Sequence, residues 1–143
     1  MARNKGIVRF HILEPFAFSE RKKLKEAVAD LMTEEGKPFT SLDYIFCSDE
    51  YLLDINKNYL QHDDLTDIIT FDLSENVGEL KGEIYISVER VKDNAVLFNT
   101  SFREELSRVV FHGALHLCGY KDKSKPDQKR IRQKEDYFLS RLS

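Results

Sequence analysis

One stretch limits the folds open to this chain more than any other. Ser101-Phe102-Arg103-Glu104 has the spacing of a capping box, and Leu106, Val109, Val110 and Leu115 follow at helical intervals until Gly119. A helix here carries an apolar segment, Val109 to Cys118, that is interrupted by His112 and His116. Spaced by one helical turn, the two imidazoles emerge on one face, close enough to meet a single ion. Two unpaired imidazoles are costly to bury in apolar surroundings, which favours a shared partner. Gly119 can take a left-handed conformation that ends the helix and turns the chain, bringing the carboxylate of Asp122 to the same point. Two nitrogens and one oxygen leave a fourth tetrahedral position open, as in catalytic rather than structural zinc sites. The bland alternative is a structural domain whose histidines are satisfied or solvent-facing. The small pair Gly113-Ala114 either leaves room beside the ligands or marks close packing of the helix on a sheet. Cys118 falls off the shared face and reads as a buried structural thiol, and His11 as a packing or surface residue.

The remaining segments predict a frame for that helix. Ile7 to Leu13 reads as a strand, and Ser19 offers the cap of a helix whose buried stripe is Leu24, Ala27, Val28, Leu31 and Met32, stopped by Gly36. The Arg21-Lys22-Lys23-Lys25 cluster on it reads as a solvated polar face. Ser41 to Cys47 is a second strand, followed by Ser48 as the cap of a short helix to about Leu60. Thr66 to Leu73 and Gly82 to Ser87 are strands around a polar loop with Gly78, and a helix from Val88 to about Phe98 follows. Ser124 and Pro126 open a last helix to about Leu142, amphipathic through Ile131, Tyr137 or Phe138, and Leu142. The order β-α-β-α-β-β-α-α-α predicts an α+β fold: a small mixed sheet of about four strands flanked by helices, with a metalloprotease-like zinc-binding helix. No repeat or linker divides the chain, so residues 1–143 are expected to form a single metal-dependent hydrolase domain.

A net charge of −3 excludes a protein that grips nucleic acid over its whole surface, so any such contact is local. Lys121, Lys123, Lys125, Lys129, Arg130, Arg132 and Lys134 crowd the segment beyond the metal loop, either as a backbone-binding patch or as the solvated face of the last helix. Tyr120, beside that loop, could stack on a base or pack. With only two cysteines, no apolar leader and no run of about 18 apolar residues, the chain is expected in the cytoplasm, neither exported nor in a membrane. Helical zinc peptidases place a Glu directly after the first His, and here that position is Gly113, which argues against peptide hydrolysis.

The eleven-residue run His-Gly-Ala-Leu-His-Leu-Cys-Gly-Tyr-Lys-Asp from His112 to Asp122 resembles the signature of the YbeY family of metal-dependent rRNA maturation endoribonucleases. Asn58-Tyr59 with Leu65-Thr66-Asp67-Ile68-Ile69-Thr70-Phe71, and Gly82-Glu83-Ile84-Tyr85-Ile86-Ser87, are similar to two further family segments, so the likeness spans roughly residues 54–122. The resemblance implies a cytoplasmic endoribonuclease specific for single strands, acting in 16S rRNA 3′-end maturation and ribosome quality control. It implies one Zn²⁺, with other divalent transition metals possible, held by His112, His116 and Asp122. RNA and ribosomal or small-subunit factors are the implied partners, with no DNA and no membrane. The alternative is a non-catalytic ribosome- or rRNA-binding assembly factor whose metal is structural. Two positions depart from the family pattern. Asp122 stands where a third His is usual, which keeps a donor that zinc accepts but adds negative charge. Leu60 stands where an Arg is usual for holding phosphate, and His62, Lys121 and Lys123 are the candidates to supply that positive partner. The general base is not identified by the sequence.

Overall fold

The computed structural model describes residues 6–60 and 66–142, apart from the side chains of Tyr59 and Leu60. Strand β1 (Ile7–Ile12) leads through helix α1 (Arg21–Glu34) to β2 (Phe39–Cys47), and helix α2 (Asp49–Leu60) leads on to β3 (Ile68–Asp72) and β4 (Leu80–Ser87). Helices α3 (Val88–Leu97), α4 (Phe102–Leu117) and α5 (Lys125–Ser140) complete an α+β arrangement. The four strands form one mixed sheet in the order β1-β2-β4-β3. Strand β2 is parallel to both β1 and β4, and β3 runs antiparallel to β4 through a hairpin.

Side-chain alternation divides the interior in two. Leu42, Tyr44 and Phe46 of β2, with Ile84 and Ile86 of β4, pack beneath Leu24, Val28 and Leu31 of α1 and Val110, Phe111 and Leu115 of α4. Cys47, the last residue of β2, together with Ile69 of β3, joins Leu52 and Ile55 of α2 in a smaller cluster on the opposite face. Helix α4 is the central member of the larger core. The buried Tyr44 hydroxyl donates to the Val110 carbonyl at 2.8 Å, which ties the sheet to the turn just before His112. A side chain at Gly113 would put its Cβ 2.8 Å from Ile84 and 2.9 Å from Ile68, so this glycine sets the close approach of helix and sheet rather than clearing space for a ligand.

The ends of the elements follow the cap chemistry with two differences. Ser101 accepts from the Glu104 N–H at 3.0 Å, but the Glu104 carboxylate takes the Thr100 hydroxyl instead of returning to the backbone. Helix α1 starts one residue later than Ser19 predicts: Glu20 is its N-cap and makes no side-chain cap bond. The Glu20 carboxylate is engaged elsewhere, accepting from Arg103 at 2.8 Å and Lys23 at 3.4 Å. The basic cluster on α1 is also less free than a solvated face, since Arg21 lies over the Phe16 ring and Lys25 over Phe10. In α5 the buried stripe runs through Ile131, Glu135 and Phe138, while Tyr137 stays exposed. Among the described residues no helix is long and apolar enough to cross a membrane.

Candidate metal centre

The last turn of α4 builds the site. Gly119, at φ +105°, closes the helix: its N–H donates to the His116 carbonyl at 3.0 Å and the Tyr120 N–H to Leu115 at 3.1 Å. That pair of bonds is the Schellman arrangement, which a residue with positive φ completes at low cost when it is glycine. The reversal aims the Tyr120 carbonyl back at the helix, where it lies 2.9 Å from Nδ1 of His116. Ser124, whose hydroxyl accepts from the Asp127 N–H at 3.2 Å, then starts α5, and Asp122 occupies the short connection.

The three residues singled out by spacing converge. Nε2 of His112 lies 2.9 Å from Nε2 of His116, and Oδ2 of Asp122 lies 3.2 Å from each. Among the described residues this is the one group of three or more donors close enough to share an ion. The donor chemistry fits a cation. Nδ1 of His116 faces a carbonyl and Nδ1 of His112 faces the Glu135 carboxylate at 2.5 Å, so in the neutral rings both protons sit on Nδ1. Two lone pairs and a carboxylate oxygen then point at one another with no hydrogen between them. Their spacing suits vertices about 2 Å from a common centre, the reach of zinc to nitrogen and oxygen donors. Burial opposes charge on His112, but the hydrogen bond and charge of Glu135, with Asp122 and Asp67 nearby, raise its pKa on balance. Surroundings that favour a proton on this ring favour a metal cation by the same electrostatics.

Spacing alone did not reveal Glu135. It is buried, holds His112 from α5, and accepts from Arg108 at 3.0 Å, while the other arm of Arg108 reaches Asp136 at 2.7 Å. A carboxylate on the outer nitrogen fixes the tautomer and rotation of a ligating imidazole. One signal for it was in the sequence: Glu135 falls between Ile131 and Phe138 on an otherwise apolar stripe.

A cleft of about 380 Å³ opens beside His112 and Asp122, with Asp67 and Glu105 on its walls. Burial raises the pKa of both carboxyls, and at Glu105 the charge of Asp67 adds to the effect. The other sequence candidates lie apart. Lys121 borders a second cavity with Glu35 and Tyr120, Lys123 is exposed, and His62 falls outside the described residues. Tyr120 packs: its hydroxyl donates to Glu35 at 2.7 Å and Arg130 covers its ring. Burial pushes the Cys118 thiol up to about 12, and it contacts the Met32 sulfur rather than the donor cluster. His11 lies far along the chain from these residues, 2.8 Å from Asp43 at the sheet surface.

Residues 14–143 match the family described as Endoribonuclease YbeY. The chain belongs to the YbeY family. An Endoribonuclease YbeY from Flavobacterium johnsoniae is 47% identical over 130 residues, covering 91% of this chain and 93% of that relative. Its counterpart from Cytophaga hutchinsonii is 46% identical over 125 residues, 87% of either chain. The solution structure of TM1509 from Thermotoga maritima is similar with a TM-score of 0.68 at 29% identity, covering 95% of this chain and 89% of that one. The YbeY match takes in every element from α1 onward and all three donors.

Proposed function

We propose that this chain is a metal-dependent endoribonuclease that cuts single-stranded RNA, acting in 16S rRNA 3′-end maturation and ribosome quality control. The YbeY membership supports the reaction class, since relatives 46% and 47% identical over 125 and 130 residues carry the name endoribonuclease. The observation that carries the reading is the accessibility of the donor set. The Asp122 side chain is 41% exposed and His112 and Asp122 border a cleft, whereas a structural site would be closed by a fourth protein ligand.

Zinc is the ion assigned, because two imidazole nitrogens with one carboxylate oxygen is a donor set it accepts with a position to spare. A divalent ion held here supplies Lewis acidity, lowering the proton affinity of water and polarising a phosphoryl oxygen. The chain does the positioning: His112 and His116 present Nε2, Glu135 and the Tyr120 carbonyl hold their rings, and Asp122 supplies the third donor. The two cysteines are both free, which suits a reducing, cytoplasmic setting. RNA and small-subunit factors are the partners assigned there.

The test joins elemental analysis of protein purified without chelator to an RNA cleavage assay, for wild type, His116→Ala and Asp122→Ala. Wild type is expected to hold one zinc and cut single-stranded RNA, and both variants to lose metal and cleavage together while keeping their circular dichroism. Collapse of the fold along with the metal would make the site structural. A metal-loaded wild type that leaves RNA intact would sink the reading.

A further inference from the structure

The cleft beside the metal centre has two walls of matched construction. From α3 and its C-cap come Asn94 and Phe98, and from α5 come Gln128 and Arg132; each pair has the i, i+4 spacing that sets side chains one turn apart. His112 and Asp122 border the same space. We infer that this cleft is a nucleotide subsite, in which Phe98 stacks a base of single-stranded RNA and Arg132 takes a phosphate next to the cleaved bond. The inference rests on the endoribonuclease reading and names the residues that would hold its substrate.

Charge selects Arg132. The cleft carries four carboxyls, from Asp67, Glu105, Asp122 and Glu135, against two guanidinium groups, Arg108 and Arg132. Arg108 is consumed by Glu135 and Asp136. Arg132 makes no hydrogen bond or ion pair among the described residues, although its charge is felt at Glu105. A phosphodiester entering so acidic a space needs a cation, and a planar guanidinium suits the oxygens of a phosphate. The neighbouring cations are engaged or face elsewhere: Arg130 lies on Tyr120 and Lys134 on Glu35.

Exposure selects Phe98. It is 55% exposed at the end of α3, following Val96 and Leu97, which are more exposed still. Asn99, at φ 54°, turns the chain directly after it. Of these three apolar side chains, Phe98 is the one that borders the cleft. Single strands present unstacked bases, and an uncovered aromatic ring beside a cation is how sequence-tolerant sites hold them.

The experiment measures equilibrium binding of a short fluorescent 2′-O-methyl single-stranded RNA to the zinc-loaded protein across a salt series, alongside KM and kcat on the cleavable RNA. Phe98→Ala is expected to bind about tenfold more weakly, with Phe98→Tyr close to wild type. Arg132→Gln is expected to bind more weakly and to flatten the slope of log affinity against log salt by about 0.7, one single-strand phosphate contact, while Arg132→Lys keeps the slope. Both losses should appear mainly in KM, with zinc content and Tm unchanged because neither residue is a donor or buried. Wild-type binding by either Phe98→Ala or Arg132→Gln overturns the subsite, as does equal affinity for a duplex of the same sequence. Those results leave wild-type cleavage intact; a wild type that neither binds nor cuts single-stranded RNA removes the functional reading itself and the subsite with it.

Discussion

The same three chemical groups meet twice in this molecule, with opposite outcomes. At the sheet surface, Asp43 accepts from Arg9 at 2.7 Å and lies 2.8 Å from Nε2 of His11. Between α4 and α5, Glu135 accepts from Arg108 at 3.0 Å and lies 2.5 Å from Nδ1 of His112. The first trio is more open to water: the His11 side chain is 47% exposed against 20% for His112, and Asp43 18% against 5% for Glu135. Solvent screens the first trio to a minor contact. In the second, low dielectric strengthens each interaction, and the opposite ring nitrogen of His112 points at His116 and Asp122. Depth and direction, not composition, separate an oriented ligand from a surface ion pair.

The largest effect should come from Glu135→Ala, which strips a buried partner from both Arg108 and His112. A loss of about 3 kcal/mol in denaturant unfolding is expected, at the low end for a broken buried pair because Arg108 keeps Asp136. A loss as small as that of Asp43→Ala would erase the contrast between the trios. Glu135→Gln keeps the shape without the charge, so zinc affinity measured by chelator competition should fall about 10- to 100-fold with a smaller change in stability.

His116 is held by a carbonyl, which no substitution removes directly, so the way to loosen it is through the turn. Nothing lies within 4 Å of a Cβ built on Gly119, and the cost of Gly119→Ala is therefore backbone strain alone, about 1 to 2 kcal/mol by thermal melt. Weaker zinc binding in that variant would show that the turn, through the Tyr120 carbonyl and Asp122, sets the donor geometry, and unchanged binding that it does not. The smallest effect is expected at Asp43→Asn. The Arg9 hydrogen bond, helped by His11 and opposed by burial, holds the Asp43 carboxyl below its ordinary value of 3.8. A lowered folded pKa stabilises the native state at pH above 3.8, and that contribution is lost as acid protonates the group through its lowered value. The variant should melt about a degree lower at neutral pH, converge with wild type on acidification, and keep its zinc. Lost zinc there would mean that the surface trio reaches the metal centre after all.

What the sequence made legible was local. The cap at Ser101, the apolar intervals of α4, the turn at Gly119 and the convergence of His112, His116 and Asp122 all depend on residues within a few turns of one another. The strand expected at Ser41 to Cys47 was legible as well and is seen as β2, whereas the order of strands in the sheet was not. The parts that escaped require knowing which elements touch. Glu135 approaches His112 across the α4–α5 packing, and Phe98 and Arg132 share a cleft only because α3 and α5 both border α4. At the start of α1 the expected cap, Ser19, was off by one residue, and the choice of Tyr137 or Phe138 for the stripe of α5 was left open. Packing against the core selects Phe138, and Glu20 takes the cap position of α1 without a side-chain cap bond.

The three proposed ligands come from one short stretch, His112 to Asp122, of a helix and its closing turn. An ion seated there closes no long loop and does not staple distant strands, so cross-linking entropy gives it little leverage over the unfolded chain. Its occupancy should be governed instead by how rigidly the surrounding helices hold that stretch, which makes metal retention a sensitive gauge of packing between α4 and α5.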